Sequence, residues 1–106
     1  MQSKEYTVEY EVACDRLRDD IAQLLVDMDR PNRAVTAMAA AATYELADAF
    51  HHAAGHPGDA RWDVALLSLE AFVNTAGRSA RAVQSGAFAT LRAFLDENHS
   101  VQRLAA

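Results

Sequence analysis

Apolar residues recur every three or four positions along the first quarter of the chain. The stripe consists of Tyr10, Cys14, Leu17, Ile21, Leu24 and Met28. This spacing predicts an amphipathic helix, from near Ser3 to Asp29, that packs lengthwise against a partner. We therefore expect Leu17, Ile21 and Leu24 to be buried. Between Tyr6 and Val12 apolar and polar residues alternate, which leaves a short N-terminal strand open as an alternative.

The next apolar segment predicts a second helix from about Pro31 to Ala54. Proline is favoured in a first helical turn, and Asp29 would be the N-cap. The helix should stop in the segment Gly55-His56-Pro57-Gly58, because glycine takes a left-handed conformation easily and proline cannot continue a helix. Its apolar stripe is Val35, Met38, Ala42, Leu46, Phe50 and Ala53.

A third and a fourth helix complete the pattern. The third begins after Asp59 as N-cap and ends near Gly77 as C-cap, and the fourth covers roughly 80–98, with Ser79 as its N-cap. Gly86 weakens the fourth helix and could split it. The third stripe is Trp62, Leu66, Leu69, Val73 and Ala76, widened by Val64, Leu67 and Phe72; the fourth is Phe88, Leu91 and Leu95, with Val83, Ala87 and Phe94 beside it.

These helices predict an all-α fold, a four-helix antiparallel bundle joined by short loops. The tail from Ser100 either frays or adds one turn through Val101 and Leu104. Residues 1–106 suit one helical domain. Val12 and Leu25 lie just off the first stripe, which suggests more apolar surface than one intramolecular partner needs. A homodimer is therefore expected.

Composition supports an ordinary helical domain. Of the residues, 51% are hydrophobic and 24% charged, and about a fifth are alanine, which favours helix. The single cysteine, Cys14, lies on the first stripe, and we expect a buried free thiol in a reducing compartment. The first residues resemble no signal peptide, and no apolar run is long enough to cross a bilayer. We therefore expect a cytoplasmic protein that is not bound to membranes.

The net charge of −5 is concentrated in the first half of the chain. Residues 1–53 hold ten acids and five bases, whereas residues 54–106 hold five of each. The acids of the first helix are expected on its outer face; they are Glu5, Glu9, Glu11, Asp15, Asp19, Asp20 and Asp27. We predict that Glu9, Asp15, Asp19 and Asp20 bind a partner protein with a basic surface. The simpler interpretation is a solvated face that keeps the protein soluble.

Between Glu70 and Asp96 the chain has no acid but has three arginines, Arg78, Arg81 and Arg92. They form the alternative candidate contact surface, a basic patch. Three arginines without lysine on an acidic protein are too few for a phosphate-binding face, so we expect no direct nucleic-acid binding. They could instead face the acidic first helix, in the same chain or in another copy.

Histidines cluster at the end of the second helix. Asp48 and His52 share a helix face, a spacing that can hold a metal, but a closed site needs three or four ligands. The segment from His51 to Gly55 has the form His-x-x-x-Gly and resembles that motif of histidine phosphotransfer domains, which implies phosphorylation of His51. The chain departs from the motif at Ala54, where the family usually has lysine, and at Pro57, which ends the helix. We expect no metal site. Instead, we expect that the histidines lie at the C-terminal end of the helix because the helix dipole favours them there.

The sequence shows no nucleophile with a neighbouring base and no pair of carboxylates that would lie in a concave site. We therefore predict that the protein is not an enzyme and has no catalytic residue and no cofactor. The leading hypothesis is a non-enzymatic acidic helical protein-binding module. Small inhibitors or adaptors commonly have this form, among them immunity proteins, antitoxins and phage anti-defence or anti-CRISPR proteins. Two alternatives stay open: a phosphotransfer-like signalling domain using His51, and a structural subunit of a larger assembly.

Overall fold

Among the residues that it describes, the structure, a computed structural model, contains four α-helices and one short 3₁₀-helix. They are α1 (Gln2–Asp27), α2 (Arg33–His52), α3 (Ala60–Ala76), the 3₁₀-helix (Ala82–Gln84) and α4 (Gly86–Ala105). The backbone is described for residues 2–28, 30–56 and 58–105, and the side chains for 10–28, 30–56 and 58–98. Within these ranges there is no strand, and the predicted all-α four-helix bundle is confirmed.

The helix α1 begins at Gln2, so the alternating segment from Tyr6 to Val12 is helical and the strand alternative is wrong. Six apolar positions at 3–4 spacing continue from Tyr10, and this longer helical pattern outweighs four alternating residues. Three of the stripe's central residues, Leu17, Ile21 and Leu24, are buried as predicted.

The start predicted for α2 is wrong. The helix begins at Arg33, and its N-cap is Asn32, whose side-chain oxygen accepts a hydrogen bond from the Val35 N–H at 2.9 Å. Asparagine is among the best N-cap residues. Arg30 has a positive φ of 56°, which turns the chain before the helix can begin, so Pro31 precedes α2 and does not lie in its first turn.

The caps predicted for α3 are confirmed, because Asp59 accepts from the Arg61 N–H at 2.9 Å and Gly77 ends the helix. The start predicted for α4 is wrong. Ser79 accepts from the Ala82 N–H within the turn that precedes the 3₁₀-helix, whereas Ser85 accepts from the Ala87 N–H and caps α4. The helix then continues to Ala105, which confirms the extra turn at the tail.

The helices pack as an antiparallel ring in which α2 and α3 share the most extensive contact. Their buried residues form one core: Cys14, Leu17, Ile21, Leu24, Val35, Ala39, Ala42, Leu46, Ala49, Phe50, Ala65, Leu66, Leu69, Phe72, Val73, Ala76, Ala82, Ala87, Leu91 and Leu95. Val64, Leu67 and Val83 were expected beside the core but are exposed. On α3, the positions of Val64 and Leu67 turn away from the face that meets α2 and α4.

Aromatic rings join three helices at one end of the bundle. The Phe50 ring of α2 lies 5.0 Å from the Trp62 ring of α3 in an edge-on arrangement, and 5.7 Å from the Tyr10 ring of α1. The Trp62 Nε1–H donates a hydrogen bond to the Ala53 carbonyl at 3.0 Å. These contacts fix α1 against the end of α2, where part of the candidate surface lies.

Candidate protein-binding surface

An open groove runs between α1 and α2 on the outside of the bundle. Its wider section has a volume of about 620 Å³ and is lined from α1 by Asp15, Arg18, Asp19, Ile21, Ala22 and Leu25, and from α2 by Thr36, Ala39, Ala40 and Thr43. Ile21 and Ala39 are almost fully buried and form the floor, while Ala22 and Ala40 are exposed on the two walls. We call this feature, with the section described next, the α1–α2 groove.

The narrower section continues toward the end of α2 and has a volume of about 270 Å³. It is lined by Tyr10, Glu11, Cys14, Asp15, Arg18, Ala47, Phe50, His51 and Ala54. Asp15 and Arg18 line both sections, so the two form one continuous feature. The narrow section has an aromatic floor, whereas the floor of the wide section is aliphatic, and both sections carry charged residues on their rims.

The groove has more negative than positive charge. Its rim carries three carboxylates, from Glu11, Asp15 and Asp19, and one guanidinium, from Arg18. Arg18 Nη1 lies 3.7 Å from Asp15 Oδ1, and both side chains are more than half exposed. Such an exposed pair contributes little free energy, so a ligand can exchange it for other contacts at small cost.

The four predicted contact acids do not share one face. Asp15 and Asp19 line the groove. Asp20 is seven residues before Asp27 and therefore lies on the same stripe of α1, which faces the start of α4. The stripe faces the start of α4 because the Oδ2 atom of Asp27 accepts a hydrogen bond from the hydroxyl of Ser85, the residue before α4, at 2.6 Å. The side chain of Glu9 lies outside the described residues.

The two carboxyls on the α4-facing stripe have opposite pKa shifts. The hydrogen bonds from Ser85 and then from Gln23 lower the pKa of Asp27. Partial burial, and then the neighbouring charge of Asp19, raise the pKa of Asp20. Asp27 was expected on a solvated outer face, but it is half-buried and holds the end of α1 against the start of α4. The sequence contains no local signal for this contact, because the two partners are 58 residues apart.

The histidine cluster lies at the exposed end of α2. His52 Nε2 is 3.7 Å from Asp48 Oδ1, and Asp48 Oδ2 is 3.7 Å from Arg61 Nε of α3. His51 is exposed and lines the narrow section of the groove. Within the part of the chain that the structure describes, no three His, Cys, Asp or Glu side chains form a group that could hold a metal ion.

The three arginines of the alternative patch lie on different elements. Arg78 follows α3, Arg81 precedes the 3₁₀-helix, and Arg92 belongs to α4; all three are exposed. Cys14 is a buried free thiol, as predicted, and burial raises its pKa. The thiol is thus held in its protonated form beneath the narrow section of the groove.

None of the helices, as far as residues are described, is long and apolar enough to cross a bilayer. Comparisons of the chain with protein-family models, with curated proteins and with solved structures give no match.

Proposed function

We propose that this protein is a non-enzymatic, cytoplasmic protein-binding module that contacts a basic surface of another protein through the acidic side of α1. The observation that carries the proposal is the placement of Asp15 and Asp19 along an open groove. The groove places these carboxylates beside a concave, partly apolar surface, which a merely solvated face does not require. An apolar floor supplies contact area, and rim charges steer the partner and accelerate its capture.

The physical class to which such a module belongs is that of small inhibitors and adaptors. Immunity proteins, antitoxins and phage anti-defence or anti-CRISPR proteins are of this kind, and many of them meet surfaces that otherwise hold nucleic acid. A compact acidic helical chain suits that role, because its carboxylates can occupy positions meant for phosphates. This is an analogy of physical form and not a shared motif.

The dimer expected from the first apolar stripe stays a prediction. Leu17, Ile21 and Leu24 are buried within a single chain, so the stripe itself leaves no surplus area for a second copy. Among the described residues, the large apolar side chains that remain exposed include Val12 and Val26 on α1, at 45% and 76%, as well as Tyr44 on α2 and Leu67 on α3, at 71% and 65%. Sedimentation velocity over a range of concentrations decides the oligomeric state.

A site-specific crosslinking experiment tests the proposed function. A photo-crosslinking amino acid replaces Ala22 on the groove wall, or Ala93 on the exposed side of α4 as the matched control. In native cytosol, irradiation should join a discrete partner protein to the Ala22 derivative alone. The partner's association rate should then fall in Asp15→Lys/Asp19→Lys and with added salt.

The control for charge is Asp96→Lys/Glu97→Lys, which changes the net charge equally at two exposed positions of α4. Equal loss of association rate in both double variants would show that net charge alone governs capture. Equal crosslinking from Ala22 and Ala93 would contradict a role for the acidic side of α1.

A further inference from the structure

The shape and chemistry of the α1–α2 groove define more than a charged patch. Its two walls are of matching length: from Thr36 to His51 on α2, and from Leu25 to Tyr10 on α1. At a rise of about 1.5 Å per residue, each wall extends over roughly 22–23 Å. This is the length of a helical segment of about 15 residues.

The cross-section also suits a helix. Small residues stand on both walls, with Ala22 on α1 and Ala40 and Ala47 on α2. A third helix can approach such walls closely, since helix axes pack about 8–10 Å apart depending on the side chains between them. Leu25 is half-buried at the wide end and offers apolar area to large side chains of a ligand.

The polarity of the groove changes along its length. The wide end, around Leu25, Ala39 and Ala40, is mainly aliphatic. The narrow end combines the rings of Tyr10 and Phe50 with the nearby carboxylates of Glu11 and Asp15. A lysine or arginine side chain suits the narrow end, because its apolar stem packs beside the half-buried Tyr10 ring while its cation meets the carboxylates.

We propose that the α1–α2 groove binds an amphipathic, cationic α-helix of a partner protein. Aliphatic residues of that helix, at i, i+3, i+4 and i+7 spacing, pack on Ala22, Leu25 and Ala40, and its basic residues pair with Asp15, Asp19 and Glu11. This inference rests on the proposed function, since it specifies the partner element that the acidic side of α1 contacts.

The probe is a synthetic peptide of about 16 leucine and lysine residues with helical periodicity. A scrambled peptide of the same composition lacks the amphipathic face, and a third peptide has glutamate in place of lysine. Fluorescence anisotropy of the labelled peptides should show saturable binding of the amphipathic cationic peptide alone. Circular dichroism should show added helix when the peptide and the protein are mixed.

A matched pair of protein variants separates the groove from its surroundings. Ala40→Phe fills the groove, whereas Ala41→Phe adds the same side chain at the next exposed position, which does not line it. The dissociation constant of the peptide should rise about tenfold or more in Ala40→Phe and stay nearly unchanged in Ala41→Phe. The reason is that the ring at position 40 occupies space that the apolar side chains of the peptide need. Ala22→Phe fills the groove from the opposite wall and should weaken peptide binding in the same way. It replaces Ala40→Phe in the test if Ala40→Phe perturbs folding.

The other outcomes are informative in different ways. Equal binding of the scrambled peptide, equal weakening in Ala40→Phe and Ala41→Phe, or no peptide binding overturns the helix-in-groove inference. If Asp15→Lys/Asp19→Lys weakens binding while Ala40→Phe and Ala22→Phe do not, the groove inference fails but contact through acidic α1 survives. Self-association that is abolished by Ala40→Phe would identify a second copy as the occupant and would also overturn the inference. The crosslinking from Ala22 tests the proposed function independently of the peptide.

Discussion

The helix α2 has two neighbours and packs against them in different ways. Toward α3 its small residues Ala42 and Ala49 are completely buried, and the contact is closed by large side chains such as Phe72. Toward α1 its small residues Ala40 and Ala47 border an open groove. Alanine thus brings two helices together in one place and leaves space in the other.

The difference comes from the facing helix. The stripe of α3 that meets α2 carries apolar residues that are free to be buried. The stripe of α1 that borders α2 carries Asp15, Arg18 and Asp19, and burying such charges costs far more than the contact returns. The α1–α2 seam therefore stays open along its outer side, and its remaining surface is available to a ligand of opposite charge.

The largest difference between the two seams is expected from core truncations. Phe72→Ala should lower the free energy of unfolding by about 3–5 kcal/mol, because the ring is fully buried. Ile21→Ala should cost roughly 2–4 kcal/mol, since the site borders the open groove and can relax partly. Urea unfolding followed by circular dichroism measures both. A cost for Ile21→Ala that exceeds that of Phe72→Ala would contradict the looser packing of the α1–α2 seam.

Enlarging alanines tests the same contrast from the other direction. Ala42→Leu should destabilise by about 1–3 kcal/mol, because the site has no space for three further carbon atoms. Ala40→Leu places the same side chain on the groove wall and should change stability by no more than about 0.5 kcal/mol. Thermal unfolding of the pair is the measurement. Equal costs would mean that the groove closes in solution.

Ser85 connects the ends of α1 and α4, far from the groove. Ser85→Ala removes the N-cap of α4 and the hydrogen bond to Asp27, so unfolding should become easier by about 1–2 kcal/mol. Ser85→Asn keeps a capping oxygen and should recover part of the loss. Unchanged stability of Ser85→Ala would show that the Asp27 contact and the cap contribute nothing.

The smallest effects are expected from Asp20 and Asp27. Because its pKa is lowered, ionised Asp27 stabilises the folded chain at pH values above its ordinary pKa of 3.8. This contribution is lost as the pH falls through the lowered pKa. Because its pKa is raised, ionised Asp20 destabilises the folded chain at pH values above the raised pKa. Protonation of the carboxylate at lower pH removes this destabilisation. At neutral pH, Asp27→Asn should lower the thermal midpoint and Asp20→Asn should raise it. Shifts of the same sign would contradict the opposite environments of the two carboxyls.

Local patterns were sufficient to predict the helices and most of the core. The stripe from Leu17 to Leu24 and the caps at Asp59 and Gly77 depend on interactions within a few residues, so the sequence displays them directly. The start of α4 was missed because Ser79 and Ser85 are both good caps, and only the 3₁₀-helix between them decides which one begins the long helix.

The groove could not be predicted, because it depends on how two helices are rotated about their axes. The acids of α1 are visible in the sequence, but the prediction placed all of them on one outer face of the helix. A rotation of about 100° between adjacent residues places Asp19 on the groove and Asp20 on the stripe that faces α4. The contact between Asp27 and Ser85 was missed for the same reason, since it follows from packing and not from spacing.

The most direct test of a helix-binding groove is an NMR titration of the isotopically labelled protein with the amphipathic leucine–lysine peptide. Chemical-shift changes should concentrate at Ile21, Ala22, Leu25 and Ala40 and be weak at Leu67, on the exposed apolar side of α3. Changes centred on Leu67, with the groove residues unaffected, would contradict helix binding in the groove.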